Sequence, residues 1–316
     1  MIVRWSYAEL PDVLTEAGIE KPFVISSERW RSLDVPPHVA WWTEVPSARV
    51  EVPAEADGIL SMGGGSAIDT GKYASAQSKK PVVHVPTTYS GAEWTTHYGI
   101  RTPDRIIRGS GGGARPVGIV YDVDLTMDMP KNVSAGTAMN ALAHCAEALY
   151  TKSRTPEGDE QALAGAPLIA RALPRVIDHP HDRDARALLL RGAAHGGHAL
   201  GLAGLALAHA MAQALGGTYG LPHGAMNALT LSPALRFNML NVPDLVQRFG
   251  DAIGGDPVEL TRELALRGGF KNLRQFDVPK KQLPQVADMA AGRAGNQNNP
   301  SPATSEEILE ILLKIW

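Results

Sequence analysis

Gly58-Ile59-Leu60-Ser61-Met62-Gly63-Gly64-Gly65-Ser66-Ala67-Ile68-Asp69-Thr70-Gly71-Lys72 is the stretch whose reading decides the fold. It opens with an apolar run of strand length and breaks at three consecutive glycines. A helical segment follows. Glycines let a backbone approach a ligand closely, and a helix start offers unpaired N–H groups with a partial positive charge. This is the physics of a pyrophosphate cradle, with Gly63, Gly64, Gly65 and Ser66 as its candidate residues. The glycine spacing is not that of the Rossmann fingerprint, and no Gly-Lys-Ser/Thr follows, so it is not a Walker loop. A ligand-free strand-to-helix turn is the competing reading.

Working outward, Pro22-Phe23-Val24-Ile25, Pro81-Val82-Val83-His84-Val85 and Val117-Gly118-Ile119-Val120-Tyr121 read as further strands. Apolar strands of this length, with a helix after the second, predict a parallel sheet covered on both faces. Gly109 to Gly113 reads as a flexible loop or the tip of a hairpin. The loop Pro86-Thr87-Thr88-Tyr89-Ser90-Gly91-Ala92-Glu93 follows the next strand. Taken alone it is an ordinary polar loop. Beside a phosphate turn, at the carboxyl ends of neighbouring strands, Thr87, Thr88 and Ser90 fall where ligands bind in open α/β sheets.

After Pro130 helical periodicity takes over, with helices predicted near 134–152, 157–177, 183–216, 224–240, 243–253, 257–267, 281–291 and 304–315. Ser134, Asp256 and Thr304 read as helix caps, the last with Glu307 three residues on. Asn296 to Pro302 reads as a polar loop. The chain thus divides into an α/β dinucleotide-binding domain over 1–130 and an all-helical domain over 131–316, with no internal repeat.

The 316 residues carry a net charge of −3 without long runs of one sign, which argues against nucleic acid or an anionic membrane surface as partner. A single cysteine, Cys145, allows no intrachain disulfide and suits a reducing, cytoplasmic setting. The N-terminus has no basic segment followed by an apolar core, so no signal peptide is expected. Leu200 to Leu215 is the most apolar stretch. It is short for a membrane span and contains His209 and Gln213, so it reads as a buried helix.

Three of the ten histidines stand out. His144 follows Asn140 by four residues in a helical segment, so both point to one face. His209 lies in an apolar helix, where an unpaired imidazole is costly. His223 follows Pro222 after the turn Gly216-Gly217-Thr218-Tyr219-Gly220, which can return it toward His209. Three imidazoles with an open position are the pattern of a catalytic metal that polarises oxygen. Each one alone reads equally as a buried, hydrogen-bonded histidine. His38, His179 and His181 read as exposed, and His195 and His198 as helix-packing or supporting groups.

Taken together the pieces resemble the iron-containing alcohol dehydrogenase superfamily, from about residue 57 to the C-terminus. Gly63-Gly64-Gly65-Ser66 with Asp69 and Lys72 resembles its pyrophosphate loop, and Pro86-Thr87-Thr88 its nicotinamide-side loop. Asn140, His144, His209 and His223 fall on its metal-ligand positions, and Asn299-Pro300-Ser301-Pro302 resembles its C-terminal signature. Within it the maleylacetate reductase branch is most similar. That rests on residues 86–95, on Met139 to His144 with Glu147 to Tyr150, and on Leu215 to His223. The resemblance implies the iron alcohol dehydrogenase (dehydroquinate synthase-like) fold and NAD or NADP as cofactor. It also implies Fe or Zn as a divalent metal, a small-molecule substrate and a homodimer.

Three departures bear on that reading. Asn140 stands where the alcohol dehydrogenases have an aspartate, which weakens a metal site; the maleylacetate reductases share the change. Gln213 replaces a histidine associated with proton transfer, and glutamine is no acid at neutral pH. Few residues precede Gly63, so the first strands should be abridged. The expected activity is hydride transfer from NAD(P)H to a small carbonyl or unsaturated oxo-acid, with His144, His209 and His223 as catalytic residues and Arg236 a candidate cation for a dicarboxylate. The alternatives are a metal-dependent primary alcohol or polyol dehydrogenase, and a nucleotide-binding descendant with little catalysis. A lyase of the dehydroquinate synthase type lacks support, because the loop after Pro86 has no lysine-bearing run.

Overall fold

The computed structural model describes residues 1–101 and 107–316, with side chains described outside 101–110. The chain forms two compact units. The first comprises Met1–Thr88 and Ala92–Asp128, the second Tyr89–Gly91 and Met129–Trp316.

The strands of the first unit are β1 (Ile2–Arg4), β2 (Pro22–Ser26), β3 (Ala40–Trp42), β4 (Gly58–Gly63), β5 (Val82–Pro86), β6 (Tyr98–Arg101), β7 (Ile107–Gly111) and β8 (Pro116–Val120); its helices are α1 (Leu10–Glu16) and α2 (Gly65–Ser78). Six strands make one parallel sheet in the order β1-β8-β5-β4-β2-β3. The four strands read from sequence are there. Sequence reading missed β1 and β3, which at three residues each are too short to show a period. Side chains alternate between faces along each strand. Val24, Leu60, Met62, Val83 and Val85 enter one core with Leu10, Val13 and Leu14 of α1. Phe23, Ile25, Ile59 and Val82 enter another with Ala74 of α2. Gly71 lets α2 lie directly on the sheet, since a Cβ there would sit 2.5 Å from the Cβ of Ser61. The strands β6 and β7 pair antiparallel as a hairpin. Gly109–Gly111 belong to its second strand, where main-chain pairing outweighs glycine's freedom, and not to a flexible loop or tip.

The second unit is helical: α3 (Lys131–Ala148), α4 (Pro156–Asp178), α5 (Arg183–Ala203), α6 (Leu207–Tyr219), α7 (His223–Met239), α8 (Pro243–Ile253), α9 (Pro257–Arg267), α10 (Leu283–Ala291), α11 (Ala294–Asn298) and α12 (Ser305–Lys314). Asp256 caps α9, and Thr304 with Glu307 forms a capping box on α12, as read from sequence. Ser134 is not a cap. The helix starts three residues earlier, after Pro130, and the Ser134 hydroxyl donates to Met129 O. The long helix expected over 183–216 is two helices, broken at Gly204, whose φ of 72° and ψ of −160° only glycine adopts readily. Part of the expected loop 296–302 is the end of α11. Helices α3 and α7 touch backbone to backbone, since a Cβ on Gly224 would lie 2.5 Å from Gly136. Among the described residues no single helix is long and apolar enough to cross a membrane; α5 and α6 pass that test only as a pair bent by 99°.

Candidate active site

In the first unit, β4 ends at Gly63 with φ +140°. Gly64 then starts α2 in an extended conformation, with no side-chain cap and no acidic residue in the first turn. The positive end of a 14-residue helix is therefore left unopposed. The Thr87 N–H donates to Gly63 O at 3.0 Å, and a Cβ on Gly64 would lie 3.0 Å from Thr88 Cγ2. The glycine turn and Thr87–Thr88 are thus side by side at the carboxyl ends of β4 and β5. From β2 the chain winds outward to β3, and from β4 the opposite way to β5 and β8, so strand order reverses between β2 and β4, next to the glycine turn. Thr88 Oγ1 is buried and has no hydrogen-bond partner among the described residues. The residues fit a dinucleotide's pyrophosphate: close backbone, helix N–H groups and an unused hydroxyl.

Asp69 and Lys72 do something else. Asp69 Oδ1 pairs with Lys72 Nζ at 2.7 Å, and Oδ2 accepts from Gly99 N at 3.2 Å. Lys72, 1% exposed, also donates to Ala92 O, Thr95 Oγ1 and His97 O. It ties α2 to the segment 92–97 and has no reach left for phosphate. Beyond that segment's start, the Tyr121 hydroxyl donates to Glu93 Oε1 at 2.7 Å and accepts from Trp94 Nε1 at 2.7 Å. Glu93 is buried and its Oε2 has no partner among the described residues. Burial pushes this carboxyl above the ordinary carboxylate range, against the lowering effect of the Tyr121 bond.

In the second unit, α3, α6 and α7 bring the three singled-out histidines together. The rings of His144 and His209 stack at 4.7 Å, and those of His209 and His223 lie 5.5 Å apart. Glu147, one turn beyond His144 and fully buried, organises them. Its carboxylate accepts from Ala206 N at 2.8 Å, His209 N at 3.2 Å and His209 Nδ1 at 2.7 Å. It therefore caps α6 and fixes the His209 ring in one contact set. Asn140 donates from Nδ2 to Ser90 O at 3.0 Å, which turns Oδ1 toward His209 Nε2 at 3.2 Å. Asn227, one turn after His223, donates from Nδ2 to Asn140 Oδ1 at 2.7 Å and contacts His223 Nε2 at 3.0 Å. The Glu147 carboxylate faces Nδ1 and Asn140 Oδ1 faces Nε2, so both ring nitrogens of His209 are committed within the cluster. His144 is held well below the ordinary histidine range by burial, then by the two neighbouring rings, so it is neutral. His223 is exposed.

Ser90 belongs to this unit, in the segment Tyr89–Gly91. Its Oγ is buried without a partner among the described residues. Gly91, with φ +71°, passes so close to α5 that a Cβ would sit 2.8 Å from Gly197 Cα and 3.4 Å from His144 Nδ1. Arg186, fully buried, anchors the segment through Tyr89 OH at 3.2 Å and binds Met129 O and Pro180 O. His195 bonds Gln161 of α4 and His198 lies 3.8 Å from Glu157, so both are packing groups between α4 and α5. His38, His179 and His181 are exposed, as expected. Arg236 is 65% exposed and paired with Glu259, a surface ion pair.

Against known families, residues 134–316 match the model described as Fe-containing alcohol dehydrogenase family, C-terminal, and residues 14–130 match that described as Iron-containing alcohol dehydrogenase. The chain belongs to the iron-containing alcohol dehydrogenase family. The match reaches further toward the N-terminus than the motifs, which begin near residue 57. Maleylacetate reductase from Sphingobium indicum is 34% identical over 277 residues, 87% of this chain and 78% of its own. That from Pseudomonas knackmussii is 31% identical over 328 residues, 97% and 92% of the two chains. The crystal structure of maleylacetate reductase from Agrobacterium tumefaciens covers all of this chain and 95% of its own, with a TM-score of 0.89 at 26% identity. The protein is an NAD(P)H-dependent oxidoreductase of the maleylacetate reductase branch.

The family name implies iron, and imidazoles with an amide oxygen are donors of a usable kind. Their placement does not fit one. Among the described residues no three His, Cys, Asp or Glu side chains are arranged to hold a metal ion. The lone pairs a metal needs, on Asn140 Oδ1 and His223 Nε2, face the Asn227 amide nitrogen instead. Asn227, Glu147 and Arg186 are the residues that sequence reading missed as site members. The spacing from His223 to Asn227, four residues on one helix face, was the available signal for the first. Glu147 shows only as part of a family passage, because its partners come from a different helix.

Proposed function

We propose that this protein reduces a small unsaturated oxo-acid, of which maleylacetate is the model, with NADH or NADPH. The supporting observation is the cluster His144, His209 and His223, locked by Glu147, Asn140 and Asn227. Gly63–Ser66 would hold the pyrophosphate, with Thr87 and Thr88 as further polar contacts of the same unit. Reduced nicotinamide, when bound, supplies a hydride.

Hydride addition to the alkene carbon β to a ketone moves an electron pair onto the ketone oxygen, and protonation of the α carbon completes the reduction. The residues of this chain serve the oxygen and the proton. Charge developing on the oxygen is met by the dipoles of a preorganised polar cluster, which loses no reorganisation energy at the moment of reaction. His209 stands at the centre of the cluster, and Glu147 keeps its ring in place. His223 is exposed at the start of α7, on the solvent side of the cluster. His144, neutral and buried, shapes the floor under them.

The test is oxidation of NADH and NADPH with maleylacetate and with simple aldehydes. Turnover of maleylacetate is expected to exceed that of aldehydes; absence of any turnover with either nicotinamide would sink the proposal. The same reading carries a cytoplasmic homodimer, which light scattering of the purified protein checks for its oligomeric part.

A further inference from the structure

One face of α6 carries two polar side chains a turn apart, His209 and Gln213. Gln213 is partly exposed between the buried Ala212 and Ala214. Arg293, which precedes α11, donates from Nη1 to Gln213 Oε1 at 3.3 Å and from Nη2 to Gln213 O at 3.2 Å. A side-chain amide has one acceptor end and one donor end. With Oε1 turned to the guanidinium, Nε2 is turned away from it, and no hydrogen bond from Nε2 forms among the described residues. The position one turn from His209 therefore presents N–H donors backed by a fixed positive charge, and it can neither give nor take a proton at neutral pH. Such a pair favours a carboxylate oxygen over a neutral carbonyl, because the guanidinium adds charge attraction to the hydrogen bond.

We propose that Gln213, held by Arg293, is a specificity-determining residue that anchors a carboxylate of the oxo-acid substrate beside His209. The inference rests on the reading of the histidine cluster as the place of reduction. It also gives position 213 a role other than proton transfer. Recognition at this position is independent of pH, because neither Gln213 nor Arg293 changes charge near neutrality.

The experiment compares kcat/KM for maleylacetate and for a neutral aldehyde in the wild type, Gln213→Leu, Gln213→Glu, Gln213→His and Arg293→Gln. Gln213→Leu is expected to lower the oxo-acid to aldehyde ratio at least about tenfold, mainly through KM. Gln213→Glu should lower it further, since its carboxylate pairs with Arg293 and repels the substrate. Gln213→His, which keeps an N–H donor, should hold the ratio within a few-fold. A merely structural role would slow both substrates alike, and an unchanged ratio in Gln213→Leu and Gln213→Glu overturns the proposal. Calorimetric binding of glutarate, a dicarboxylate that cannot be reduced, separates this from the reaction itself. If the wild type turns over nothing, the functional reading falls. The anchor then stands only if glutarate binds and Gln213→Leu binds it at least about tenfold more weakly. No glutarate binding, or equal binding by both proteins, overturns it. Gln213 is partly exposed, so its variants remain informative even if Arg293→Gln fails to fold.

Discussion

Glu147 shows how one buried carboxylate sets a site. Its three hydrogen bonds come from two main-chain N–H groups and one ring of α6, all on the far side of a helix break. Replacing it by alanine leaves His209 and two N–H groups buried without their acceptor, a loss of about 3–5 kcal/mol by analogy with broken buried pairs. Glu147→Ala should therefore lower the urea midpoint and abolish turnover; unchanged stability would show that the contacts are replaced by others. Gly91 acts by absence of a side chain. Gly91→Ala forces a left-handed alanine against Gly197 and His144, and displacing the imidazole should lower kcat by about 10²-fold, with little change in nicotinamide affinity. Glu93 gives a pH signature. Its carboxyl is raised, so the folded chain holds that proton more tightly than the unfolded chain does. The resulting stability is full below the ordinary value of 4.5 and declines as pH rises through the folded value. Glu93→Gln mimics the protonated form. Its stability relative to wild type should improve as pH rises above 4.5 in urea titrations.

At the scale of elements, the break between α5 and α6 matters most. A continuous helix through residues 204–206 would leave no free N–H groups for Glu147 to cap. Gly204 makes the break possible because alanine is strained at its backbone angles. Gly204→Ala should cost roughly 1–3 kcal/mol in chemical unfolding, more than an exposed glycine in an ordinary loop would. The apolar run from Leu200 to Leu215 reads as one helix, since periodicity reports which residues are buried and not where a chain turns by 99°. Caps were legible when the side chain and its target lie within three residues, as at Asp256 and Thr304. Ser134 misled because a hydroxyl near a helix start can bind a carbonyl instead. The turn at Gly63–Gly65 was legible as a whole, strand, glycines and helix in one run.

For the whole molecule, the proposed function gives the two units separate tasks, and each is then expected to be impaired alone. Gly64→Val places a branched side chain against Thr88, where even a Cβ would sit 3.0 Å from Cγ2. It should weaken NADH binding, read by fluorescence titration, while glutarate binding to the second unit is retained. The metal question also belongs at this scale, since the donors come from α3, α6 and α7. Because the Asn227 amide faces their lone pairs, protein stripped with a chelator is expected to keep its turnover, with less than about 0.1 metal per chain by elemental analysis. Activity that returns only on adding iron or zinc would overturn that expectation.

The sequence by itself determined the parallel sheet, the glycine turn, the division into an α/β part and a helical part, and the three histidines that gather. These are written in local patterns: a run of apolar residues, three glycines, an imidazole in an apolar helix. Only the tertiary structure decided what those histidines bind. Glu147, Asn140 and Asn227 meet His209 and His223 across 62, 69 and 4 residues of chain, and just the last interval falls within one helix face. Hydrogen bonds between helices depend on crossing geometry, which side-chain order does not encode. The same holds for Lys72 and Arg236. Burial committed the first to three carbonyl and hydroxyl oxygens and a carboxylate, and exposure left the second on a surface ion pair.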